Sequence, residues 1–342
     1  MILGLIAILA LVLVLPFAFK KIEHNLEIFL FVMGLGAAFF AGRISGHLVL
    51  EGLKEPLPIT GAVLGFGLLF KWTRSFMDQI IRAILKKVPV PIFVFGLILW
   101  LGMTASVITA IIAALVLVEV ISMLQLDKQH ELELVVLACY AIGIGAVLTP
   151  LGEPLSTIAI AKLKSWPDVD FWYLLRLLGW EVLGSVTALA LLSFLIHGRH
   201  STKGLEVPKE EREEPYREIF LRTGKVYLFV MALVFLGEGF KPLIDAYVIH
   251  LSADTLYWIN ISSAVLDNAT LTAAEISPSM TPLQIKKLLM GLLIAGGMLI
   301  PGNIPNIIAA SKLKITMKEW ARFGLPVGLI FMVVFFFILR ME

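Results

Sequence analysis

Six polar residues crowd into eleven positions, 262–272, of the stretch ISSAVLDNATLTAAEI (261–276) in an otherwise apolar region: Ser262, Ser263, Asp267, Asn268, Thr270 and Thr272. Together they offer a carboxylate, an amide and hydroxyls, the oxygen mixture that a hard cation such as sodium prefers. Asp267 dominates the set. A carboxylate at bilayer depth costs about 2.5–3.5 kcal/mol on the gentlest scale, so its presence argues for a purpose. A helix cap, accepting bonds from backbone N–H groups, is the structural purpose that competes with ion binding, and one residue can serve both. Ser263, Asn268 and Thr270 add neutral oxygens around it.

Three further polar clusters interrupt apolar runs: GMTASVIT (102–109), TPLGEPLST (149–157) and IPGNIPN (300–306). The first carries Thr104, Ser106 and Thr109. The second carries Ser156, Thr157 and Glu153, the last placed between Gly152 and Pro154. The third carries Asn303 and Asn306. Proline inside an apolar segment removes a helix bond and frees a carbonyl. Unwound backbone at membrane depth is tolerated where it is buried in protein or lines a cavity. The half-helices beyond such breaks present positive N-terminal ends, and freed carbonyls can coordinate a cation. A hydroxyl can instead bond the carbonyl four residues earlier, which is the alternative for each serine and threonine here. Among the remaining acids, Glu181 and Glu238 are auxiliary candidates. Glu238 has a simple helix partner three residues on in Lys241, and Glu181 follows Arg176 by five residues. Glu119 and Glu275 fall near segment ends, where contact with the membrane interface accounts for them.

These clusters must be positioned by membrane-spanning elements. The chain of 342 residues is 59% hydrophobic and 16% charged, well below the roughly 25% charged of a soluble domain. Apolar segments fall at 2–19, 26–41, 57–70, 91–125, 131–163, 171–197, 225–240, 254–277, 288–313 and 324–341. Many approach the ~20 residues needed to cross a bilayer as helix. The expectation is an all-α multi-pass integral membrane protein, of the kind found in a prokaryotic cytoplasmic membrane, with lipid around it. The first segment lacks a basic region before it and is followed by Lys20 and Lys21, so it reads as a membrane helix rather than a signal peptide. A net charge of +2 offers nothing to nucleic acid. The single cysteine, Cys139, cannot form an internal disulfide. The six histidines, His24, His47, His130, His197, His200 and His250, lie in loops or segment ends without zinc spacing.

The segments fall into two halves around the hydrophilic stretch 198–224. GEPLSTIAIAKLK (152–164) and GNIPNIIAASKLK (302–314) are identical at six of thirteen positions, including Gly152/Gly302 and Lys162/Lys312. Gly67, Phe70 and Lys71 are matched by Gly237, Phe240 and Lys241. This predicts scaffold helices over 1–56, a first repeat over 57–197 and a second over 225–342. In the first repeat a re-entrant hairpin covers 91–125 and a broken helix 131–163; in the second they cover 254–277 and 285–313. With that folding, Lys and Arg concentrate on the side of Lys20, Lys86 and the charged stretch. The two halves then have opposite topology, with Lys162 outside and Lys312 inside. Corresponding Gly/Pro interruptions in two halves point to a transport site at the midplane. No GxxxxGK[ST], HExxH or GxSxG motif occurs, and Asp267 is the one aspartate deep in an apolar segment, so an ATP motor and an enzyme are disfavoured.

At this point SSAVLDNATLTAA resembles the SAVLDN-type signature of NhaD-type sodium/proton antiporters. GAVLTPLGEPLST is similar to their GGAWSPIGDVTT stretch, with Glu153 standing where that family has aspartate and Ser156 and Thr157 matching its two threonines. Within the ion transporter superfamily, the short chain looks most like compact putative cation transporters of unknown function. The resemblance implies two inverted repeats whose hairpin tips and broken helices bind ions, sodium as coupling ion or substrate, no other cofactor, and a homodimer. The departure is MTASVIT, which lacks the Asp-Asn pair expected in the first hairpin. The expected function is sodium/proton exchange by alternating access, with a sodium-coupled anion symporter as the alternative and a non-transporting membrane enzyme or assembly subunit behind both.

Overall fold

The apolar segments fold as helices. The computed structural model describes residues 2–23, 25–124, 126–198, 215–247, 251–266 and 268–341, and no strand forms among them. Asp267, His24, His200, His250 and most of the charged stretch lie outside the described residues. The helices are α1 (Ile2–Ala18), α2 (Lys20–Glu23), α3 (Leu26–Phe40), α4 (Gly46–Lys54), α5 (Pro56–Leu85), α6 (Val90–Ile108), α7 (Ala110–Leu124) and α8 (Lys128–Gly145). They continue as α9 (Pro154–Lys162), α10 (Tyr173–Gly198), α11 (Tyr216–Tyr247), α12 (Ala253–Ile259), α13 (Asn268–Glu275), α14 (Pro282–Gly296), α15 (Ile304–Leu313) and α16 (Met317–Ile338). Tight 3₁₀ turns extend α8 at Ala146–Leu148 and α12 at Asn260–Ala264, and another precedes α15 at Ile300–Gly302.

Helix starts follow local chemistry. Thr281 and Thr316 close capping boxes with Gln284 and Glu319, and Asp127 caps α8 through the Gln129 and His130 amides. The break after α8 is equally local. Thr149 and Glu153 each precede a proline, which disfavours their α conformation, and both are extended, at φ −136° and −157°. Pro154 and Pro305 then open α9 and α15 at positions where a missing N–H costs nothing.

Six helical stretches among the described residues are long and apolar enough to cross a membrane: 46–73, 90–108, 128–148, 173–196, 216–243 and 317–338. Trp180 and Leu3 are each 83% exposed, as lipid-facing side chains of a multi-pass integral membrane protein are. Two boundaries differ from the sequence reading. The span expected at 57–70 and the amphipathic stretch after it form one 30-residue helix, α5, because no proline or glycine separates them. Helix α11 begins at Tyr216, inside the charged stretch, where Ile219, Arg222 and Thr223 are buried.

The packing of one half has counterparts in the other. Helix α5 packs on α7 as α11 does on α13; α6 on α8 as α12 on α14; α8 on α10 as α14 on α16. The halves interlock through α7 against α15 and α13 against α9. Helices α1 and α3 pack along α11. Basic groups gather at one end of the bundle. There Lys128 Nζ donates to Leu313 O at 2.7 Å, Lys225 pairs with Glu27 at 2.9 Å, and the Lys318 amide donates to Glu23 at 3.1 Å. At the other end Trp166 Nε1 donates to Pro278 O at 2.9 Å, tying the turn after α9 to the turn after α13.

Candidate ion site at the helix breaks

Helices α9 and α15 have 9 and 10 residues, which at 1.5 Å per residue is roughly 14–15 Å, half the ~30 Å hydrocarbon core. The turns of the helix pairs meet their N-terminal ends. Thr109, between α6 and α7, sits at φ 76°, rare for a β-branched residue and a pointer to a constrained tip. Its hydroxyl accepts from the Ile112 amide, and the next amide, Ala110 N, donates to Gly152 O at 2.9 Å. The first tip is thus joined to the first break. Thr149 Oγ1 adds a second tie, donating to Ser106 O, and Thr157 Oγ1 donates to Pro150 O at 2.6 Å.

The second tip meets the second break in the same way. Asn306 Nδ2 donates to Gly296 O at 2.8 Å and to Leu299 O at 2.9 Å, satisfying carbonyls that the break releases. Ser263 Oγ donates to Asn268 Oδ1 and reaches Leu292 O at 3.4 Å. Only glycine lets Asn268 approach α14: a Cβ on Gly296 would lie 2.6 Å from Asn268 Nδ2. The two breaks are neighbours as well, because a Cβ on Gly143 of α8 would lie 2.5 Å from Asn303 Nδ2. Gly296→Ala is expected to force Asn268 out of place at a cost of about 1–3 kcal/mol, and to abolish any sodium-dependent stabilisation; thermal unfolding with and without sodium measures both.

The helix N-terminal ends of α7, α9, α13 and α15 face this region, each contributing partial positive charge and free amides. Polar atoms remain unfilled within it. Ser156 Oγ, Asn306 Oδ1 and Asn268 Nδ2 are buried and have no hydrogen-bond partner among the described residues. Buried polar groups are ordinarily paired, so three orphans around one junction mark a place for a ligand. Glu153 is 8% exposed at the N-terminal end of α9.

The other sequence candidates divide. Thr270 lies against Gly237 of α11, and Asn303 caps α15 beside α8. Thr104 is set apart: its hydroxyl donates to Trp100 O at 2.7 Å, inside its own helix. Ser106 Oγ likewise reaches Met103 O, and its carbonyl is what serves the junction. Glu238 pairs with Lys241 at 3.5 Å as its spacing predicted. Glu181 is ion-paired at 2.7 Å, with Lys286 of α14 rather than with Arg176. Arg176 instead binds Asp170, holding that carboxyl below its ordinary range. Asp267 lies outside the described residues, but its neighbours Leu266 and Asn268 are 6% and 4% exposed.

Sequence reasoning missed the protein cover over two acids. Glu119 and Glu275, read as contacting the membrane interface, are buried by neighbouring helices at 7% and 2% exposure. Neither burial could be read locally, because it depends on α15 covering α7 and α9 covering α13. Glu119 pairs with Lys312 at 3.0 Å, and the repeated KLK ending was the one available signal. A cavity of about 420 Å³ opens at the basic end of the bundle, where Glu27, Arg222, Lys225 and Lys314 line it, and extends to Ile300 and Ile307 beside the second break.

A family model described as "Protein of unknown function (DUF1646)" matches residues 2–341. No curated protein matches the chain.

Proposed function

The chain belongs to the DUF1646 family of proteins of unknown function, so its activity must be argued from its site, and we propose that it is a secondary active transporter exchanging sodium for protons. One observation carries the reading: two helix breaks and two helix-pair turns meet around buried polar atoms that no described residue pairs. In this reading the halves are inverted repeats, and α6–α7 and α12–α13 are re-entrant hairpins. The counterpart packing pairs and the shared basic end of Lys128, Lys225 and Lys318 support that topology. The resemblance of the Asp267 and Glu153 stretches to NhaD-type antiporters supports the substrate.

Asp267 and Glu153 hold either a proton or a share of the cation, while Asn268, Ser263, Ser156 and Asn306 supply neutral oxygens. The proton and sodium compete for the same carboxylates, so alternate exposure of one site suffices for exchange. The cavity beside Ile300 is the path from the basic end. A second reading, sodium-coupled transport of a small anion, rests on the unfilled Asn268 Nδ2 and on Arg222 and Lys225 in that cavity.

Thermal unfolding of the purified protein in detergent, titrated with sodium, potassium and lithium at several pH values, tests both. A ligand that binds only the folded state stabilises it by RT ln(1 + [L]/Kd), about 2.7 kcal/mol at a hundred times Kd. The expected result is a sodium-selective rise that weakens as pH falls. No response to any cation rules out the exchange reading, and a rise with dicarboxylates or oxyanions in the presence of sodium selects the second.

A further inference from the structure

Glu275 ends α13 with both carboxyl oxygens buried and without a hydrogen bond. The side chain beside it is Asn260, whose Nδ2 reaches Leu288 O at 3.3 Å and whose Oδ1 also lacks a partner. Both Glu275 oxygens and Asn260 Oδ1 thus lack a hydrogen-bond partner among the described residues, while Asn260 Nδ2 is bonded to Leu288 O. An ionised carboxylate buried in this way, without a cation, carries a heavy desolvation cost. A proton on Glu275 removes the charge and supplies the donor that Asn260 Oδ1 lacks.

The charged groups on the elements packed against α13 leave one candidate partner. On α14, Lys286 is paired with Glu181 and Lys287 with Asp254 of α12. On α11, Lys241 is paired with Glu238. On α9 stands Lys162, exposed and in no ion pair, with Lys164 exposed just beyond the helix end. Lys162 is the last residue of the 9-residue α9, and Glu275 the last of the 8-residue α13. Since the two helices pack together and start at the same junction, these ends lie at about the same depth, ~11–12 Å past their starts.

The other half holds the same arrangement with the pair made. Lys312 ends α15 at the position that Lys162 occupies in the repeated sequence, α15 packs on α7, and Lys312 holds Glu119 at 3.0 Å. We infer that Glu275 is a proton-binding site: it carries its proton in this conformation and, on releasing it to water at the Lys162 end, leaves a carboxylate that Lys162 holds as Lys312 holds Glu119. The O–H bond breaks, the proton goes to solvent, and the negative charge acquires Lys162 as its partner. The use of this site in coupling rests on the transport reading above, whereas its occupancy by a proton does not.

The test is labelling of the full-length protein in lipid with dicyclohexylcarbodiimide, a hydrophobic reagent that attacks protonated carboxyl groups, with adducts mapped by mass spectrometry. Glu275 is expected to label at neutral pH several-fold more than ion-paired Glu119, and the adduct is expected to vanish in Glu275→Gln. As pH rises the adduct is expected to fall. A water-soluble carbodiimide, which activates the carboxyl for attack by a neighbouring amine, is expected to yield a Glu275–Lys162 cross-link that is missing from Lys162→Met. That exposed substitution keeps the test available even if Glu275→Gln does not fold. Labelling of Glu275 no stronger than that of Glu119 overturns the proton site, and an adduct without a cross-link at any pH overturns the role of Lys162. Labelling as expected in a protein that moves no sodium or protons in liposomes would leave the proton site standing and remove the transport reading.

Discussion

Asp267→Asn is expected to abolish sodium/proton exchange in reconstituted liposomes and to remove the sodium-dependent rise in thermal stability, while the protein still folds. The exchange reading requires this result. The substitution keeps size and one hydrogen-bonding oxygen but removes both the charge that attracts a cation and the atom that carries a proton. A carboxylate inside a membrane-spanning apolar segment costs about 2.5–3.5 kcal/mol, so replacing it by a neutral amide should leave stability unchanged or raise it by an amount of that order. Asparagine is as good an N-cap as aspartate, so capping alone cannot explain a loss of activity. The comparison with Asn306→Ala separates function from scaffold. Asn306 holds Gly296 O and Leu299 O, and its loss leaves two buried carbonyls unpaired at about 1–3 kcal/mol each. That variant should therefore lose stability and exchange together, whereas Asp267→Asn loses exchange alone. Retained exchange in Asp267→Asn would sink the assignment.

Much of this architecture was visible in the sequence because its signals are local. Thr149-Pro150, Glu153-Pro154 and Pro301 through Pro305 interrupt apolar runs, and prolines break helices whatever surrounds them. The breaks stand where those residues put them. The length of α5 was less legible, because hydropathy ends at Phe70 whereas the helix continues through polar residues with good helix propensity. Long-range pairing left no local trace. That Thr149 serves Ser106, that Glu181 meets Lys286, and that Asn303 nests against Gly143 are facts of packing between elements 40 or more residues apart. The same limit explains Glu119 and Glu275. Position near the end of a segment signals the membrane interface only when no neighbouring helix covers it, and here α15 and α9 do.

Lys312→Met is expected to destabilise the protein by about 3–5 kcal/mol, the cost of stranding a buried carboxylate by removing its partner. The Lys312 and Glu119 side chains are 10% and 9% exposed, so water screens neither. The exposed pair Lys314–Glu218, at 78% and 48%, provides the internal contrast. Its removal by Lys314→Met should change stability by no more than ~1 kcal/mol, since solvent-exposed pairs contribute little. The decisive variant is the double one, Lys312→Met with Glu119→Gln. Replacing a buried ion pair by uncharged groups of similar volume is often neutral, so the second substitution should recover most of what the first loses. Unfolding in detergent measures all four proteins. If Lys312→Met alone is nearly silent, the pair is not buried in the membrane, and α15 does not cover α7 as the structure has it. If the double variant is stable but fails to exchange ions, the pair contributes to the transport cycle rather than to the fold. Glu119 and Lys312 would then work as the already-formed counterpart of Glu275 and Lys162, making and breaking as the two halves trade conformations.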